Sequence, residues 1–158
     1  EPLAVYSKSV KDLSELPEGA DVLIPNDPTN RGRALILLDK SGIIKLKDNQ
    51  KLDSTIEDIA ENPKKLKVTA LNADQIPTRL GEVGAAVING NFAMKNNLNP
   101  LTDSIFIEDK DSPYANVITV LKGNENDERV QKLVKALQSE KIKKFIEEKY
   151  QGSVVPAF

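Results

Sequence analysis

The sequence predicts an α/β fold with a largely parallel sheet, and three observations carry that prediction. Short apolar runs of the buried-strand kind, such as VLI at 22–24 and GAAVI at 84–88, recur along the chain. Each opens into a polar turn and then a helical segment. The C-terminal part is different, with Val130, Leu133, Val134 and Leu137 at i, i+3, i+4, i+7 spacing, the signature of an amphipathic helix. A chain of 158 residues suits one ordinary domain with a real core.

Taken in order, residues 3–7 (LAVYS) read as a short strand, and Val10, Leu13 and Leu16 as one helical turn or a loop. Pro17-Glu18-Gly19 is a turn. Residues 22–24 are a buried strand and 25–30 a polar turn. Arg31-Gly32-Arg33 then opens a helix carried through residues 34–38, with Thr29 or Asn30 as its cap. The helix stops at Ser41-Gly42, where glycine suits the left-handed position. A brief apolar–basic segment, 43–47, and a polar loop, 48–50, follow. Ser54 and Glu57 have capping-box spacing and predict a short helix to Glu61, closed by Asn62-Pro63. Residues 66–71 predict a strand, and 73–80 a short helix interrupted near Pro77. The strand 84–88 ends in Asn89-Gly90-Asn91, with a helix expected over 92–97. Strands are predicted at 104–107 and 116–121, separated by the acidic loop 108–114 (EDKDSPY). Two C-terminal helices follow, capped by Asn126 or Asp127 and by Ser139. The second buries Ile142, Phe145, Ile146 and the stem of Lys149, and an apolar tail, 154–158, ends the chain.

Composition narrows the chemistry. The chain is 39% hydrophobic and 29% charged, with a formal net charge of −2. That balance gives no broad field for nucleic acid or anionic membrane. The basic residues from Lys141 to Lys144 are offset by Glu140, Glu147 and Glu148, as on a solvated helix face. Histidine and cysteine are absent, which removes Cys/His zinc sites, cysteine nucleophiles, Ser-His-Asp triads and CxxC redox chemistry. Neither Asp53/Glu57 nor Glu147/Glu148 has a recognisable device for raising a carboxylate pKa, so no enzyme is expected. The acidic loop of Glu108, Asp109 and Asp111 lacks the glycine and spacing of a calcium loop and reads as an exposed acidic turn, so no metal or cofactor is expected either. No apolar run approaches the ~20 residues of a membrane span, and the chain starts without a signal peptide. Its abrupt opening, EPLAVYS, suggests either that residues precede it or that this is a mature terminus.

Two strand-to-helix mouths, at 26–33 and 89–91, carry polar side chains where open α/β sheets place ligands. A helix start offers free N–H groups to an anion, and Arg33, placed in the first turn, adds a planar cation. Arg31 reads as a surface residue. With Asn116 these groups suit a zwitterion, arginine for its carboxylate and amide oxygens for its ammonium. Taken singly, each asparagine reads more readily as a turn or capping residue.

The ordered segments IPNDPTNRGRALILL, IIKLKD, ENPKKLKV, AAVINGNFA and EDKDSPYANVI resemble the NlpA/MetQ lipoprotein family, substrate-binding proteins of methionine ABC importers. The resemblance spans residues 3–158. It implies a periplasmic-binding-protein-like (type II) lobe with a parallel or mixed sheet flanked by helices, within a two-lobed protein that holds L- or D-methionine or a related amino acid in its cleft. Carried over by position, Arg33 is expected to pair with the ligand carboxylate and Asn116 to bind its polar end. Asn89 or Asn91 is expected to contribute. Asn30 and Tyr114 are weaker candidates. Another small amino acid, a methionine-containing dipeptide, or a surface lipoprotein serving adhesion or partner binding are the alternative readings.

The resemblance also implies a further N-terminal stretch that builds most of the first lobe, with the lipid-bearing cysteine and the aromatics that grip the methionine side chain. The expected division is 1–16 as a lobe-1 strand and crossover, 17–108 as the complete second lobe, and 109–158 as the return crossover and C-terminal helices of lobe 1. The chain is then a fragment, lacking half the cleft wall and binding ligand weakly or not at all. Its exposed apolar helices would self-associate or pair with the missing segment. In the intact protein the implied partner is the importer permease, and the implied location is extracytoplasmic, the lipid anchor being the one membrane contact.

Overall fold

The structure is a computed structural model that describes residues 1–109 and 112–158. Lys110 and Asp111 lie outside the described residues, so the acidic-loop reading of Asp111 is outside them too. Seven strands are described: β1 (Ala4–Tyr6), β2 (Asp21–Pro25), β3 (Lys45–Leu46), β4 (Ile59–Glu61), β5 (Lys67–Leu71), β6 (Ala85–Ile88) and β7 (Ser104–Ile107). The α-helices are α1 (Pro28–Lys40), α2 (Gly90–Lys95), α3 (Glu128–Leu137) and α4 (Glu140–Tyr150).

The main sheet has the order β5-β2-β6-β1-β7. β2 is parallel to β5 and β6, as the α/β pattern predicts, whereas β1 is antiparallel to both β6 and β7, so the sheet is mixed. Period-two alternation divides the core between its faces. Leu3, Val5, Val22, Ile24, Ala85 and Val87 pack with Ala34, Leu35 and Leu38 of α1. Ala4, Tyr6, Leu23, Ala86 and Ile88 pack with Ile76, Leu80 and Ala93 on the other side. With both faces covered, strands such as β6 are apolar throughout.

Several elements depart from the sequence expectation. Asp27, not Thr29 or Asn30, caps α1, accepting the Asn30 N–H at 3.0 Å with Pro28 in the first helical turn. Arg33 therefore sits in the second turn, away from the free N–H groups. The helix expected over 54–61 is one 3₁₀ turn, Ile56–Asp58, because Thr55 and Asp58 rather than Ser54 and Glu57 form the capping box, and β4 then pairs with β3. The helix expected over 73–80 is a 3₁₀ stretch, Pro77–Glu82, that begins at the proline rather than being broken by it. Residues 116–121 form no strand. Val117 and Leu121 are 80% and 79% exposed, and among the described residues no strand pairs with this segment.

The sequence reading set residues 1–16 with another lobe. In the structure β1 lies between β6 and β7, and Leu3 to Tyr6 are fully buried in the two core layers. β1 is thus a strand of the same sheet as β2, β5, β6 and β7. α3 and α4 are capped by Asp127 and Ser139 but bury no residue fully. They attach at their end, where Asn99 donates to the Gln151 carbonyl and Leu101 lies against Gly152.

Candidate functional site

One edge of the main sheet gathers the candidates. β2, β6 and β7 end there, and β1, running the other way, begins there. Ligands in α/β sheets sit at such carboxyl ends. The mouths of β2/α1 and β6/α2 are joined by a hydrogen bond from Asn89 Nδ2 to Asn30 Oδ1, 2.8 Å. Asn30 Nδ2 donates in turn to both carboxylate oxygens of Asp27, at 3.1 and 3.2 Å, which fixes the direction of the chain of amides. Asn89 Oδ1 is left buried, with no hydrogen-bond partner among the described residues. An orphaned acceptor of this kind suits an N–H donor such as an ammonium.

Asn30 and Arg33 are three residues apart and share a face of α1. The Arg33 guanidinium donates from Nε to Glu108 Oε1 at 2.8 Å, from Nη2 to Glu108 Oε2, and from Nη2 to the Glu1 carbonyl at 3.1 Å. Their side chains are 12% and 8% exposed, so this is a buried ion pair. Glu108 follows β7 and is held against the start of β1 from two directions. Its backbone N–H donates to the Leu3 carbonyl, and its Oε2 accepts the Leu3 N–H at 3.1 Å. The Ser112 hydroxyl donates to Oε1 at 2.8 Å. Burial pushes the Glu108 carboxyl up, but Arg33, the Leu3 N–H and the Ser112 hydroxyl together hold it below the usual carboxylate range. The expectation of an exposed acidic turn is therefore wrong for Glu108, because pairing with a residue 75 positions away buries it.

Tyr114 lays its ring against the Arg33 guanidinium, 5.0 Å from carbon to centroid. Its hydroxyl is buried and finds no partner among the described residues, and burial pushes it up in pKa. An open groove of about 940 Å³ runs between this sheet edge and the C-terminal tail, lined by Arg33, Glu108, Tyr114, Asn116, Phe106 and Phe158 among others. Of the sequence-derived candidates, Arg33, Tyr114 and Asn116 thus share one groove, while Asn30 and Asn89 share a hydrogen bond beside it. Asn91 lies in α2 and is not part of the groove lining. Arg31 is half-buried rather than a free surface residue, donating from Nε to the Ser54 carbonyl at 3.2 Å. Glu108 and Ser112 are the residues that sequence reasoning missed. The one local signal was that Glu108 directly follows the half-buried strand β7. Among the described residues there is no cluster of acidic side chains fit to hold a metal ion, and no helix is long and apolar enough to cross a membrane.

A family model described as NlpA lipoprotein matches residues 1–158. The chain belongs to the NlpA lipoprotein family. A relative from Haemophilus influenzae, named probable D-methionine-binding lipoprotein MetQ, is 47% identical over 154 residues, 98% of this chain and 56% of its own length. The D-methionine-binding lipoprotein MetQ of Escherichia coli strain K12 is 46% identical over 156 residues, 98% of this chain and 58% of its own. This NlpA chain therefore spans a little over half the length of these curated relatives. A solved structure of a nutrient binding protein from Burkholderia cenocepacia bound to methionine is 49% identical, with a TM-score of 0.88 over 99% of this chain and 66% of that one. The fold expected from the resemblance, a lobe of a binding protein of this family, is the fold found.

Proposed function

We propose that this chain is the C-terminal portion of a solute-binding lipoprotein for methionine or a closely related amino acid, the receptor component of an ABC importer. It makes and breaks no covalent bond. Two lobes close around a zwitterion, and the closed form is selected for docking on the permease. The observation that carries this reading is a buried guanidinium at the sheet edge where the chain both arrives, ahead of β1, and departs, after β7. A body joined by those two segments sits over the same edge, and the cleft lies between.

On this reading residues 3–109 form one lobe, with β1 as an integral strand. The segment after Asn116 and helices α3 and α4 belong with the N-terminal stretch that the longer relatives carry, including the lipid anchor at its start. Arg33 meets the ligand carboxylate and Asn89 Oδ1 takes a hydrogen from its ammonium. Asn116 reaches the ligand from the crossover, Asn30 aims Asn89, and Tyr114 braces Arg33. The orphaned Oδ1 favours Asn89 over Asn91. Removing one charged hydrogen bond should cost roughly 1.5–3 kcal/mol. Arg33→Ala in the full-length protein should therefore weaken methionine binding by that amount in calorimetry. An unchanged affinity takes Arg33 out of the site.

A further inference from the structure

The Arg33–Glu108 pair has a geometry that a simple neutralising bridge does not need. Side-on pairing commits the Nε hydrogen and one Nη2 hydrogen to Glu108, and the other Nη2 hydrogen goes to the Glu1 carbonyl. Only the Nη1 end is left uncommitted among the described residues. Glu108 is itself saturated. Its two oxygens take the Leu3 N–H, the Ser112 hydroxyl and both guanidinium donors. It has no capacity left to bind a ligand ammonium, and it cannot swing without giving up a bond to the main sheet. The Tyr114 ring closes one face of the guanidinium.

We propose that Glu108 is a positioning residue for ligand recognition: anchored to β1 through Leu3, it takes the Nε/Nη2 edge of Arg33 and leaves the Nη1 end as the donor that meets the ligand carboxylate. The carboxylate is then held end-on rather than by the full fork, and its contact depends on where Glu108 sets the guanidinium. Supports of this kind govern affinity because a loosely held donor must be ordered at the moment of binding. The inference rests on the reading of Arg33 as the carboxylate partner given above.

The test is calorimetric titration of the full-length protein and its variants with methionine and with methioninol, which keeps the ammonium and side chain but has no carboxylate. Glu108→Asp keeps the negative charge but is one methylene too short to span from the Leu3 N–H to Nε. It should weaken methionine about tenfold while methioninol changes by less than about twofold. Ser112→Ala, which removes one of the bonds to Glu108 and leaves the pair in place, should weaken methionine about two- to fivefold, again sparing methioninol. If Glu108→Asp does not melt cooperatively, the Ser112→Ala comparison decides. Equal losses for both ligands, as a merely structural role predicts, or an unchanged affinity for methionine, overturn the proposal. Failure of the unmodified protein to bind methionine at all overturns the carboxylate reading of Arg33 first, and this inference with it.

Discussion

An arginine side chain only 12% exposed needs its charge matched, and Glu108 matches that of Arg33. The pair carries a pH signature. The folded protein holds the Glu108 carboxyl below its ordinary value of 4.5, so the unfolded chain binds that proton more readily. The pair's contribution is therefore complete above that ordinary value and is lost as the pH falls through the lower folded one. Glu108→Gln should be less stable than the parent by ~3 kcal/mol near neutrality, with the gap narrowing on acidification below 4.5. Denaturant midpoints across that range would check this, and a gap independent of pH would contradict it. At this scale the sequence was partly readable. Arg33 stood out as a cation at a strand-to-helix mouth, and Asp27-Pro28 is a legible helix start that the glycine between Arg31 and Arg33 obscured. Glu108 was not readable, because what distinguishes it from Asp109 beside it is contact with Leu3 and Arg33, far away in sequence.

Among the elements, α1 is set by a close approach that explains its glycine. A Cβ on Gly32 would lie 1.9 Å from the Leu52 carbonyl oxygen and 2.7 Å from its carbon, so the backbone of 51–53 passes directly over the helix there. Arg31, from the same turn, holds that segment through the Ser54 carbonyl. Alanine has the better helix propensity by about 1 kcal/mol. Gly32→Ala should nevertheless destabilise the protein by about 1–3 kcal/mol, the usual cost of overpacking, read as a lower thermal midpoint. A stabilised variant would show that 51–53 moves aside freely. Strands β2, β5, β6 and β7 and helices α3 and α4 were all legible, because burial and periodicity act locally. The insertion of β1 between β6 and β7 was not, since a short apolar strand carries no mark of its partner or direction. The strand expected over 116–121 failed for the complementary reason. Its β-branched residues suit a sheet, yet among the described residues no strand pairs with it.

For the molecule as a whole, two parts differ in how well they are buried. The sheet and its flanking elements bury Leu3, Ile24, Leu35, Ile44 and Ile88 almost completely. Beyond Tyr114, Val117, Leu121, Leu133, Leu137, Phe145 and Phe158 are each more than 40% exposed. Apolar helix faces left open in this way drive association. Size-exclusion chromatography with light scattering should give this chain a mass above that of a monomer, and addition of the N-terminal segment should return it to a single heterodimeric species. A stable monomer would count against the two-part architecture. That architecture is a proposal resting on a family resemblance, since composition and periodicity do not reveal what lies across a cleft.

On the proposed reading, Arg33, Asn89 and Asn116 form one wall of a site whose other wall comes from the N-terminal stretch of the longer relatives. Calorimetric titration of methionine into this chain alone, and into the chain extended to its relatives' length, tests it most directly. Tight, saturable binding to the extended protein and weak or no binding to this chain are expected. Tight binding to the chain alone, or none to the extended protein, would contradict it.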